Sequence, residues 1–202
     1  MKKQLYSPHP SLDYARSIVA KLPASTGRSL EEWLGLIKKE GPKDEKERRA
    51  WLKEKHGLGS TKASMMAEIS VGKTEGINDD AYLAAAEDYV QAQYTGKKAH
   101  LKPIYDALLK LGVSLGKDVK VCPCKTIVPL YRHHVFAEIK PATQKRIDFG
   151  LALGDVPAKG RLIDTGGLKK KDRITHKLEI TSVDEVDREV TKWLKQAYER
   201  DK

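Results

Sequence analysis

A change of hydrophobic period near residue 118 constrains this chain more than any other feature. Before it, apolar residues recur at helical spacing: Tyr82, Ala85, Ala86, Tyr89 and Val90 in one segment, then Leu101, Ile104, Tyr105, Leu108 and Leu111 in the next. After it they alternate. Val119 and Val121 are separated by Lys120; Val135, Ala137 and Ile139 by Phe136, Glu138 and Lys140; Ile147, Phe149, Leu151 and Leu153 by Asp148, Gly150 and Ala152. Short links at "RHH" and "PATQ" predict antiparallel neighbours. A Gly- and Lys-rich loop over residues 154–173 leads to a last strand over 174–181. Ser182 and Glu185 then cap a helix striped by Val183, Val186, Val190, Trp193, Leu194 and Ala197.

Residues 1–72 read differently, as four short helices. The first follows Pro8 and Pro10, presents Tyr14, Ala15, Ile18, Val19 and Leu22, and stops at Pro23. Ser29 and Glu32 form a capping box ahead of Leu30, Trp33, Leu34 and Ile37, which end at Gly41-Pro42. Asp44 caps a third helix with Ala50, Trp51 and Leu52 inward, and Ser60 caps a fourth carrying Ala63, Met66, Ala67 and Ile69. Two glycines, acids and an Asn break the pattern over residues 73–80. The expected architecture is α+β: an N-terminal small helical bundle (1–72), a linker (73–80), and an α+β domain (81–202). In the last, an antiparallel sheet of about five strands carries helices packed on one face.

No apolar run approaches the ~18 residues of a membrane span, and the basic start MKKQLYSPHP has no apolar stretch behind it. The two cysteines, separated by one proline, fit a reducing compartment, so a cytoplasmic location is expected and no membrane association. Net charge is +10, and residues 118–180 hold 13 Lys/Arg against 7 Asp/Glu. Such an excess bears on partners more than on fold.

Two stretches carry a resemblance. "LPASTGRSLEEWLGLIKKEGPKDEKERRAWLKEKHGLGS" is similar to a short helical bacterial family of unknown function, over residues 9–72. "YTGKKAHLKPIYDALLKLG", "KTIVPLYRHHVFAEIKPATQKRIDFGLAL", "THKLEITSVDEVD" and "WLKQAYE" resemble a second uncharacterised family that often follows the first, over residues 82–199. The resemblance implies a two-domain bacterial protein and carries over no activity. It implies that Lys125, Thr126, Arg132, Phe136, Pro141, Thr143, Arg146, Asp148, Thr175 and His176 occupy typical polar and turn positions of that second family, whereas Cys122 and Cys124 need not be cysteine.

The candidate sites follow from chemistry. Cys122, Cys124 and His134 are the only grouping with metal-ligand character, but the histidine lies beyond an intervening strand, near 20 Å away at ~3.3 Å per residue, and no metal or other cofactor is expected. A cysteine-dependent enzyme would need a thiolate, for which Lys120 and Lys125 offer modest help; two unreactive thiols are the simpler reading. His176 shares its parity with Leu178 and Ile180, which reads as a semi-buried histidine. Asp148 and Arg146 share a face and read as an ion pair. "DTGGLKKKDR" lacks the P-loop spacing and reads as a mobile basic loop. The leading expectation is a non-enzymatic binding module for an anionic partner such as nucleic acid. Lys120, Lys125, Lys140, Lys145 and Lys177 with Arg132 and Arg146 would lie on the outer face or rims of a basic sheet with Phe136 as a stacking platform, and Lys169, Lys170 and Lys171 on the adjoining loop. The alternative is a small anionic ligand held by Arg132, Arg146 and His176.

Overall fold

The computed structural model describes residues 5–202, which divide into two compact units, 8–85 and 5–7 with 86–202. The expected first residues of the helical domain, 1–4, lie outside the described residues.

Residues 8–85 contain α1 (Ser11–Ala20), α2 (Leu22–Thr26), α3 (Leu30–Glu40), α4 (Glu45–Glu54), α5 (Ser60–Ser70) and the start of α6 (Asp79–Gln93). The capping box forms as its spacing requires: Glu32 N–H donates to Ser29 Oγ at 3.2 Å, and Ser29 N–H to the Glu32 carboxylate at 2.6 Å. Asp44 accepts from Lys46 N–H and Glu47 N–H to start α4. Pro23 does not stop the first helix; it sits in the first turn of α2, where its missing N–H costs nothing. Leu12 takes the inward place expected of Tyr14, which is 67% exposed, and Ala50 is likewise exposed while Leu52 is buried. Leu22, Trp33, Ile37, Leu52, Leu58, Ala63, Met66 and Ala67 form the core of this unit. The compact units part inside α6, at Ala85/Ala86, rather than within 73–80.

The second unit adds α7 (Lys102–Val113), β1 (Lys120–Val121), β2 (Val128–Tyr131), β3 (Val135–Lys140), β4 (Ile147–Leu151), β5 (Ile163–Asp164), α8 (Gly167–Lys170), β6 (His176–Ile180) and α9 (Arg188–Arg200). The six strands form one antiparallel sheet in the order β1-β2-β3-β4-β6-β5. The sixth strand, β5, lies in the segment read as a loop. The Ser182/Glu185 box is present but heads a single 3-10 turn; α9 itself is capped by Asp187, which accepts from Glu189 N–H and Val190 N–H.

Register sorts the sheet into two faces. Val128, Ile139, Phe149 and Leu178 stand in one cross-strand row, and Leu130, Ala137, Leu151 and His176 in the next; with residues of α7 and α9 they build the core. On the opposite face one row reads Pro129, Glu138, Gly150, Lys177 and the other Lys140, Asp148, Glu179. Phe136 departs from this alternation. A β-bulge at Leu130/Tyr131 pairs Tyr131 with Val135 and Leu130 with Ala137, leaving Phe136 as the extra residue. Such a bulge turns its side chain out of register. The Phe136 ring is fully buried, edge-on to Tyr198 of α9 at 5.5 Å between centroids.

Candidate functional site: the open face of the sheet

The polar face of β3, β4 and β6 floors a concavity of about 640 Å³, and residues 163–174 wall it. That wall is built by contacts distant in sequence. Arg161 donates to both carboxylate oxygens of Asp187 at 2.7 Å and to Glu189 at 2.9 Å. Thr165 N–H donates to Thr175 O at 3.0 Å, pairing β5 with the strand behind it. At the far end Arg173 donates to Asp201 at 2.5 Å and to Val135 O at 3.2 Å. The segment is therefore clamped at both ends and in the middle, which corrects its reading as a mobile loop. Gly167 permits a close approach, because a Cβ there would meet Ile174 O at 2.5 Å.

Asp201 is the buried anchor of this arrangement, 1% exposed. One carboxylate oxygen accepts from His133 N–H at 3.0 Å and His134 N–H at 2.9 Å; the other meets His134 Nδ1 at 3.1 Å and Arg173. A buried carboxylate is tolerable only with such a full set of partners.

On the floor, Arg146 donates to Asp148 at 2.9 Å and Glu179 at 2.9 Å, while Lys177 donates to the same two carboxylates at 2.9 Å and 2.8 Å. Asp148 and Glu179 stand directly opposite each other, a pairing that like charge would destabilise. The two cations bridge them into a four-membered ring of zero net charge. Hydrogen bonding to Glu179 and then Asp148 pushes the Lys177 ammonium above its ordinary range. The sheet face expected to be basic is charge-balanced.

The remaining sequence candidates scatter. Arg132 donates to Asp118 at 2.7 Å and to the backbone carbonyls of Tyr198 and Asp201, and stacks on the Tyr198 ring at 4.5 Å, so it joins β2 to the end of α9. Phe136 lies in the core and cannot act as a stacking platform. His176 is buried, its Nδ1 2.9 Å from Thr175 Oγ1, which also accepts from Leu153 N–H and Gly154 N–H. Its Nε2 finds no partner among the described residues. Arg132, Arg146 and His176 thus do not converge on one ligand. Lys125 is exposed in the β1–β2 connection; Lys169, Lys170 and Lys171 are exposed on and after α8. Lys171 closes α8 in the left-handed region, at φ 59°.

Cys122 and Cys124, neither of them in a disulfide, lie in the β1–β2 connection, whereas His134 follows β2, and no group of three or more metal-binding side chains occurs among the described residues. Burial pushes the Cys122 thiol up to about 12 and raises Cys124 as well, opposite to what a nucleophile needs.

Glu138, Asp172 and Arg173 line the concavity and were not singled out from the sequence; Lys140, expected on the sheet's outer face, lines it with them. One signal was available: Gly150 stands mid-strand, where a glycine marks a close approach. A Cβ there would meet Glu138 Cγ and Ile174 Cγ2, each at 2.7 Å.

An α+β unit with one covered and one open sheet face, following a helical unit, is the class these features define. Residues 90–201 match the family model described as Domain of unknown function (DUF5655), and residues 15–69 match the one described as Domain of unknown function (DUF4287). The first match spans more than half of the chain, so the chain belongs to the DUF5655 family. No curated protein and no solved structure matches it. Among the described residues no helix is long and apolar enough to cross a membrane.

Proposed function

We propose that residues 86–202 form a binding module for a small charged ligand, held on the open face of the sheet. The observation that carries this reading is the 640 Å³ concavity, a volume within the range of small-molecule sites, whose wall is clamped by Arg161, Thr165 and Arg173. A wall fixed before binding lowers the ordering cost of capture. Thermal shift of the full chain against a panel of charged metabolites tests it. A binder raises the melting temperature with its concentration, and Lys140→Ala with Lys170→Ala removes that rise. A panel without a single concentration-dependent shift overturns the reading.

A polyanion such as nucleic acid is the second reading, supported by Lys125, Lys169, Lys170 and Lys171, exposed cations that form no ion pair among the described residues. It predicts filter retention of single- or double-stranded nucleic acid at low salt that falls steeply as salt rises and is lost in the triple alanine variant of Lys169, Lys170 and Lys171. Two cysteines outside any disulfide support a reducing, cytoplasmic setting for either reading.

A further inference from the structure

Glu138 is a charge on the open face that forms no ion pair among the described residues. Register places it in one row with Gly150 and Lys177, so the glycine leaves a gap between an acid and a base. The base turns away: Lys177 spends its donors on Asp148 and Glu179. The acid leans into the gap, its Oε1 3.2 Å from where a Gly150 Cβ would stand. It accepts no hydrogen bond among the described residues and yet lines the concavity floor. Burial raises its pKa, with Lys140 opposing.

The rest of the lining divides by commitment. Asp148, Lys177 and Arg173 are already ion-paired, and Asp164 accepts from Gly166 N–H. Lys140, Lys170 and Asp172 have no ion pair among the described residues. The uncommitted groups are therefore of both signs. A purely anionic ligand meets Lys140 and Lys170 but also Glu138 and Asp172, and a purely cationic one meets the reverse. Only a ligand carrying both charges satisfies both sets, and desolvating Glu138 beside an ammonium replaces the solvation that burial removes.

Resting on the reading of this concavity as a small-ligand site, we propose that its ligand is a zwitterion of the amino-acid or short-peptide class, its ammonium received by Glu138 and its carboxylate by Lys140 and Lys170. Gly150 is the positioning residue that gives Glu138 room to lie across the sheet.

Titration calorimetry on the full chain tests this with four probes: L-alanine and glycylglycine as zwitterions, inorganic phosphate as an anion, and putrescine as a cation. Saturable heat is expected from at least one zwitterion, with phosphate and putrescine at least tenfold weaker. Glu138→Gln keeps the shape and removes the charge; it should weaken the zwitterion tenfold or more without weakening phosphate, and its melting curve shows whether the variant is folded. Lys170→Ala should weaken the zwitterion through the opposite end. If phosphate or putrescine binds as tightly as the zwitterions, or Glu138→Gln leaves their affinity unchanged, the zwitterion inference is overturned while the site stands. Absence of heat with all four probes overturns the site as well.

Discussion

The ring of Arg146, Asp148, Lys177 and Glu179 and the run Lys169, Lys170, Lys171 look alike in sequence, as basic residues near a sheet, and they behave in opposite ways. In the ring, strand geometry fixes residues two apart and residues across the ladder at short distance, so each cation finds two carboxylates. In the run, a four-residue helix and the residue that closes it leave three lysines exposed to solvent. The first region spends its charge on internal cohesion and the second keeps it. A count of +10 therefore says little about where a field arises.

Breaking the most buried charge should show this contrast at its largest. Asp201→Ala leaves Arg173, His134 and two backbone N–H groups without their acceptor, and urea unfolding should show a loss of about 3 kcal/mol. A loss below about 1 kcal/mol would mean that Asp201 does not anchor the segment walling the concavity. Lys177→Met comes next: Asp148 and Glu179 then face each other with Arg146 alone between them, at a cost of about 1 kcal/mol that changes with salt. Glu138→Gln should act in the other direction. Its folded-state pKa is raised above the ordinary 4.5, so ionisation opposes folding; the penalty is absent below that value and grows as pH rises through it. The variant should equal the parent in stability in acid and exceed it at neutral pH, read from melting temperatures across pH 3 to pH 7 without ligand. The smallest effect belongs to the lysine run: replacing Lys169, Lys170 and Lys171 with alanine should change stability by less than about 0.5 kcal/mol. A larger loss would erase the distinction between the two regions.

Much of the fold was legible because it rests on local periodicity. The alternation from Val119 to Leu153 specifies strands whatever lies around them, and the Ser29/Glu32 box marks a helix start within four residues. What stayed illegible depends on partners far along the chain. Phe136 follows strict alternation in sequence, and only its pairing with β2 reveals the bulge that sends it inward. The two-residue β5 carries no periodicity at all and exists because Arg161 is held by Asp187 and Glu189 and Thr165 by Thr175. Asp201 reads as one more terminal acid, and its partners His133 and Arg173 lie 68 and 28 positions away. The charge balance of the open face was hidden for a related reason: spacing gave the Arg146–Asp148 pair, but Glu179 reaches Arg146, and Lys177 reaches Asp148, only when β4 meets β6. Glu138 and Gly150 were within reach, since a mid-strand glycine opposite a charged residue is visible once the hairpin is aligned.

Ser7 N–H donates to Val121 O at 2.9 Å, and residues 5–7 belong to the unit that contains the sheet. The order of synthesis then matters. Residues 5–7 leave the ribosome ahead of 8–85 and must wait, with the whole of that unit made and able to fold, until Val121 emerges to receive them. Until the two meet, the outer edge of β1 lacks this contact and offers unpaired backbone groups to other chains. A fragment begun at residue 86 would carry that bare edge permanently, so aggregation of such a fragment would report on the missing strap and not on a failure of the sheet to form.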